Sequence, residues 1–251
     1  TMYAQWAINK LNVTFTDGYG NTLDTRTVDY GSSASAPKDP TRAGYKFSGW
    51  DKKFDNVTSD MVVNAQWNPI SYKIEYDKNS DKASGSMSDQ SMEYDKTYAL
   101  SRNSFTRKGY TFSSWNTASN GTNTTYNDMK NVKNLSSTDG SIVKLFAQWE
   151  PNKYKIRYNS NIDNNESFST DAVYDKKIMI EQNMFKRTGY SFVCWNSNKS
   201  ENEYDTRYDV GEEVANLTDE ANGIYDLYAQ WRAHNYTIRY DKNASDATGT
   251  M

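Results

Sequence analysis

The chain is short of the residues that staple folds or carry catalysis. It has one cysteine, one histidine and four prolines in 251 residues. A single cysteine forms no internal disulfide, and one cysteine with one histidine cannot build a multi-ligand zinc site within the chain. No apolar run approaches the ~18 residues of a membrane-spanning helix, so this segment is not expected to insert into a membrane. No signal peptide or lipidation motif is visible. Charge of one sign is also lacking. The 29 basic and 32 acidic side chains leave a net −3, which argues against nucleic acid as a partner. Hydrophobic residues reach only 36%, a figure that invites a disordered reading. Disordered chains, however, are poor in aromatics, and this one has 7 Trp, 20 Tyr and 9 Phe. Its core is therefore expected to consist largely of rings, in β-structure with polar turns.

What is present is repetition, which outranks other signals. Ala-Gln-Trp occurs four times, ending at Trp6, Trp67, Trp149 and Trp231, in steps of 61, 82 and 82 residues. A second mark, Gly-Tyr-x-Phe-x-x-Trp, stands at 44–50, 109–115 and 189–195. A third is an alternating segment four residues after each Ala-Gln-Trp: LNVTF (11–15), YKIEY (72–76), YKIRY (154–158) and YTIRY (236–240). The marks divide the chain into the tail of one unit (1–6), three modules (7–67, 68–149 and 150–231) and the opening of a further unit (232–251). A chain cut inside units at both ends reads as a piece of a longer array. The modules carry net charges of 0, +2 and −6, so charge is not what they share.

Each module reads as about four strands. The first strand alternates, with Tyr154, Ile156 and Tyr158 on one face and Lys155 and Arg157 on the other, as in an antiparallel strand with one buried face. A polar turn and a second strand complete a hairpin ending at Tyr30, Tyr94 or Tyr174. The segment before Gly-Tyr has room for a short helix, which Gly44, Gly109 and Gly189 would end in the left-handed conformation. In the last strand Leu145, Ala147 and Trp149 share one face, and Leu227, Ala229 and Trp231 repeat this. Trp67, Trp149 and Trp231 are therefore expected to anchor the cores. Trp50, Trp115 and Trp195 are out of phase with the Tyr and Phe before them, so they need a bulge or face the other side. At 150–250 Å² per ring and about 25 cal/mol per Å², each buried aromatic contributes roughly 4–6 kcal/mol gross. That is how a 61-residue module could sustain a core without disulfides.

Modules two and three are longer because of an insertion between their two tryptophans (116–141 and 196–223). Tyr126 and Leu135 are nine apart, as are Tyr208 and Leu217. The shared register predicts an ordered excursion packed on the sheet.

These marks together resemble the Listeria–Bacteroides repeat, of the internalin B-repeat type. The family centre stands here as PTRAGYKFSGW (40–50), FTRKGYTFSSW (105–115) and FKRTGYSFVCW (185–195), and the endings as NAQW, LFAQW and LYAQW. Departures are modest: Phe105 and Phe185 stand where module one has Pro40, and Ser114 and Cys194 where it has Gly49. The resemblance implies a small α+β, mainly β, β-grasp-like module strung in tandem, which the short connectors are expected to arrange as an elongated rod. It also implies an extracellular location on a bacterial cell surface, with attachment to the wall through parts outside this segment. It implies no catalytic residues and no cofactor.

The residues themselves offer few chemical sites. Asp77-x-Asn79-x-Asp81 opens like a calcium loop, but Lys82 and Ser88 occupy positions that need Gly and Glu, so a polar turn is the better reading. Cys194 falls at a small packed position and His234 in a connector, and no base is paired with a nucleophile. The acidic cluster Glu201, Glu203, Asp205, Asp209, Glu212 and Glu213 belongs to one module alone and reads as a solvated face. Exposed rings remain the main candidate for ligand binding: Phe146 and Tyr228, which point away from the Leu/Ala/Trp face, and the insertion tyrosines Tyr126, Tyr204 and Tyr208. The expected function is a non-enzymatic, semi-rigid stalk in an adhesin-like surface protein. The alternative is an adhesive module that binds host glycan or protein through the insertion-bearing faces. The connectors are four residues long, two with proline (Pro69 and Pro151), and leave little freedom between modules.

Overall fold

The computed structural model describes residues 1–163, 165–200, 206–241 and 243–249, and all regular structure among them is β. The chain divides into two compact units, residues 1–105 with 112–148 and residues 106–111 with 149–251.

The first module contains β1 (Lys10–Thr16), β2 (Thr22–Asp29), β3 (Tyr45–Trp50) and β4 (Met61–Pro69) in the order β2-β1-β4-β3. The central pair β1 and β4 is parallel and both outer pairings are antiparallel. The second module repeats the order with β5 (Ser71–Asp77), β6 (Gln90–Glu93), β7 (Tyr110–Asn116) and β8 (Ile142–Pro151), where β5 and β8 are parallel. The third does so with β9 (Lys153–Asn159), β10 (Ser167–Val173), β11 (Tyr190–Asn196) and β12 (Ile224–Ala233).

The alternation of the first strand is realised. Tyr154, Ile156 and Tyr158 are buried while Lys155 is exposed, because the strand lies mid-sheet with one face on the core. The tryptophans, however, exchange roles. Trp115 and Trp195 are fully buried, whereas Trp67, Trp149 and Trp231 are half-buried. A bulge between Phe192 and Cys194, matched by one between Phe47 and Gly49, shifts the register by one residue. It turns the second tryptophan onto the core face beside its phenylalanine, with Phe192 and Trp195 ring centres 5.1 Å apart. The Ala-Gln-Trp tryptophans do lie on the expected face, but three residues past the last parallel pair, as Asn159 opposite Tyr228 shows for Trp231. There Trp67 and Trp231 staple the turn after the first strand. The indole N–H of Trp67 donates to the Asp17 carbonyl at 2.8 Å and that of Trp231 to the Ser160 carbonyl at 2.9 Å.

The expected short helix is absent among the described residues. In the second module Asn103 Oδ1 accepts from the Phe105 N–H at 3.0 Å and Asn103 Nδ2 donates to the Phe105 carbonyl at 3.1 Å. Asn183 treats Phe185 in the same way. The asparagine thus supplies bonds that a helical backbone would otherwise make, and the extended chain lets Phe105 reach Trp115, with ring centres 6.1 Å apart. In the first module Pro37 and Pro40 disfavour helix at the same place. The glycines are left-handed, with φ of 78°, 74° and 77° at Gly44, Gly109 and Gly189, but they serve a tight turn instead of a helix end. The amide of Tyr45 donates to the Arg42 carbonyl and that of Tyr190 to the Arg187 carbonyl, with glycine at the third turn position, as a type II turn requires.

Both insertions are ordered on the sheet where they are described. Thr125–Tyr126 pairs with Trp115–Asn116, and Arg207–Tyr208 with Trp195–Asn196. In module two the amide of Leu135 donates to the Tyr72 hydroxyl at 3.1 Å.

Candidate functional site at the module joints

The rings expected to face solvent are unequally placed. Tyr208 is 6% exposed and its hydroxyl lies 2.9 Å from that of Tyr225. Burial pushes its pKa far up, so this ring belongs to the core and its expected exposure is not met. Tyr126 is half-buried opposite Trp115, and burial raises its pKa as well. Tyr204 lies outside the described residues, as do Glu201, Glu203 and Asp205. Phe146 and Tyr228 occupy matching half-buried places, with Lys144 Nζ 5.8 Å from one ring centre and Lys199 Nζ 5.9 Å from the other. Tyr228 also lines an open polar cleft of about 630 Å³ with Arg157, Asn161 and Lys199.

The other candidates resolve into ordinary structure. Asp77 Oδ1 accepts from the Asn79 amide at 2.7 Å, and Asn79 Nδ2 donates to the carbonyls of Ser119 and Ala147, which ties this turn to other parts of module two. Asp209 pairs with Arg207 and Glu213 with Lys177. Cys194 is fully buried, as its small packed position suggested. His234 joins the connector to β11, its Nε2 2.8 Å from Ser191 Oγ.

The most organised polar arrangement is one the sequence did not announce, and it is built twice. In the first unit the Gly44–Tyr45 turn of module one sits on the end of the hairpin of module two. Tyr45 and Tyr94 meet edge to face at 5.6 Å, and the Tyr45 hydroxyl donates to the Asp95 carboxylate. The Ile70 amide donates to the Gly44 carbonyl at 3.0 Å, and the Tyr94 amide to the Ile70 carbonyl at 3.0 Å. In the second unit residues 106–111 do the same to module three. Tyr110 and Tyr174 meet at 5.9 Å, the Tyr110 hydroxyl donates to Asp175 at 2.9 Å, and the Asn152 amide donates to the Gly109 carbonyl at 2.8 Å. An arginine two residues before each glycine covers the turn tyrosine, with Arg42 3.8 Å from the Tyr45 ring centre and Arg107 3.6 Å from that of Tyr110, a cation–π contact.

Each acceptor aspartate is held by the insertion of its own module. The Asp95 amide donates to Asn134 Oδ1 at 2.6 Å, and Asn134 Nδ2 returns a bond to Asp95 Oδ1 at 2.9 Å. Asn216 and Asp175 repeat both bonds at the same lengths. Asp95 and Asp175 are left-handed, at φ 63° and 58°, which the reciprocal side-chain bonds help to hold. The Tyr45 hydroxyl, then Asn134 and Lys133, bring the Asp95 pKa down to about 2. The bond to Asp95 raises the pKa of Tyr45, and that of Tyr110 rises through burial first and Asp175 second. The glycines are required twice over. A Cβ on Gly44 would lie 2.3 Å from the Tyr94 ring, and one on Gly109 2.3 Å from the Tyr174 ring. The signals that could have revealed the joint are the recurrent Tyr-Asp-Lys at 94–96 and 174–176 and the recurrent Asn-Leu at 134–135 and 216–217.

Comparison with known proteins fits this architecture. The Listeria–Bacteroides repeat domain matches at residues 12–69, 72–139 and 154–229. The chain belongs to the Listeria–Bacteroides repeat family. Two relatives come from Evansella cellulosilytica. One, named "Putative membrane protein", is 28% identical over 94% of this chain and 35% of its own length. The other, named "Putative Gly-rich membrane protein", is 25% identical over 97% of this chain and 27% of its own length. The chain thus spans about a third or less of the relatives it matches. No helix among the described residues is long and apolar enough to cross a membrane.

Proposed function

We propose that the chain is a non-enzymatic spacer segment of a bacterial cell-surface protein, a stalk that carries other parts of an adhesin-like polypeptide away from the cell. The observation that carries this reading is the twice-built joint. A connector amide, an aromatic pair and a hydroxyl–carboxylate bond recur between different modules, while loops and net charge diverge. The parallel central pair in the order 2-1-4-3 supports the β-grasp-like reading of each module. The names of the relatives support a surface location. Small-angle scattering of the purified chain tests the stalk. Extended dimensions that grow with each added module support it, and a compact particle contradicts it.

A second reading is favoured by one observation, the half-buried Tyr228 face beside the polar cleft with Lys199 and Asn161. In that reading modules two and three bind host glycan or protein, with Tyr228 and Phe146 as stacking surfaces. Saturable binding to a glycan and matrix-protein array, lost in the Tyr228→Ala and Phe146→Ala double variant, would favour it. Binding unaffected by those changes would remove it.

A further inference from the structure

The Gly-Tyr turn occurs three times, and the described residues cover two of the three copies. At Gly44 and Gly109 the turn is buried beneath a tyrosine of the following module, whereas Gly189 is exposed and no described atom lies within 4 Å of a Cβ built there. The rest of the third site is already formed. The His234 amide donates to the Gly189 carbonyl at 2.8 Å, as Ile70 and Asn152 do at the filled joints. Arg187 covers Tyr190 at 3.8 Å, as Arg42 and Arg107 cover their tyrosines.

The receiving half also varies between modules. Modules two and three present Tyr-Asp, with the aspartate bonded to an insertion asparagine. Module one presents Tyr30-Gly31 in place of Tyr-Asp, and the Gly31 amide donates to the Val57 carbonyl. Gly31 has φ of 80°, so the backbone course is kept while the carboxylate is missing.

We propose that Tyr-Asp together with the insertion asparagine is a docking code, and that the Gly189–Tyr190 turn is a docking surface for a further repeat module that carries this code. A module of the Tyr-Gly type, without an insertion, follows its predecessor through an unlatched joint. Two parts of one sequence thereby specify a stiff or a loose junction. The carboxylate accepts the tyrosine hydroxyl of the preceding module, and the asparagine fixes the left-handed aspartate so that it points there. The proposal deepens the spacer reading, but its test is separate. Joints can obey the code in a protein that also binds a ligand, and a ligand-free spacer can ignore it.

The test uses the full chain with residues 232–251 replaced by a second copy of 150–231 or, in a parallel chain, by a copy of 7–67. Spin labels in module three and in the added module give a distance distribution by pulsed electron resonance. A narrow distribution is expected for the added module-three copy and a broad one for the module-one copy. Equal widths would overturn the code. A second variant avoids added modules altogether. Asp95→Gly in the unextended chain places at the joint the residue that module one uses, at a φ glycine adopts without strain. It is expected to lose the narrow component between labels in modules one and two while strand amides stay protected. An unchanged distribution would overturn the proposal whatever happens to the extended chains.

Discussion

Gly109 and Gly189 sit in equivalent turns, at φ of 74° and 77°, two residues after an arginine and just before a tyrosine. One is buried beneath Tyr174 and the other is exposed. The comparison separates two reasons for a glycine that sequence alone merges. The left-handed turn requires glycine at both sites, and the close approach of a ring requires it only at the filled one. The largest contrast is therefore expected from alanine substitution. Gly189→Ala should cost about 1–2 kcal/mol from left-handed strain alone. Gly44→Ala and Gly109→Ala should cost that and a further 0.5–1.5 kcal/mol or so as the tyrosine pair is pushed apart. Urea unfolding of the three variants measures the difference, and equal losses would mean that the rings do not depend on the glycines.

Removing one hydroxyl should give a smaller separation. Tyr110→Phe deletes the donor to Asp175 and is expected to destabilise by about 1 kcal/mol, as a partly exposed hydrogen bond would. Tyr190→Phe is expected to have no measurable effect. Acid should act on the first joint without mutation. The pKa of Asp95 in the folded chain is depressed from 3.8 to about 2, chiefly by the Tyr45 hydroxyl. Its contribution is therefore fully present above pH 3.8 and is lost as pH falls toward 2. Tyr45 is raised, so its contribution holds below pH 10 and is lost as the phenol ionises. Asp95→Asn should remove the acid limb, which NMR titration of the Tyr45 ring would show. The smallest effect is expected at Arg42→Gln, about 0.5–1 kcal/mol, from loss of the half-buried side chain's cation–π contacts with Tyr19 and Tyr45.

Much of the module was legible because it is written in local pattern. The alternation Tyr-x-Ile-x-Tyr gave the buried face of the first strand, and the paired Tyr/Leu spacing gave ordered insertions. Two features went the other way for physical reasons. The phase of Trp195 left a bulge or the opposite face open, and the bulge after Phe192 makes it the core ring, while Trp231, past the last parallel pair, staples a turn. The helix before Gly-Tyr was displaced by Asn103 and Asn183, whose side chains satisfy the backbone locally while the chain stays extended. Of the candidate site, the turn tyrosines were visible as a motif. Their partners Asp95 and Asp175 were not, because the bond joins residues 50 and 65 positions apart.

The central claim is that a filled joint holds where an open one does not, and one set of amides reports on both. Ile70, Asn152 and His234 each donate to the carbonyl of a turn glycine, at 3.0, 2.8 and 2.8 Å. Native-state hydrogen exchange of these three amides in the unmodified chain compares like with like. Exchange is expected to be much slower at Ile70 and Asn152, beneath their tyrosine pairs, than at His234. Similar rates at all three would contradict the account, since the connector bond would then owe nothing to the docked module.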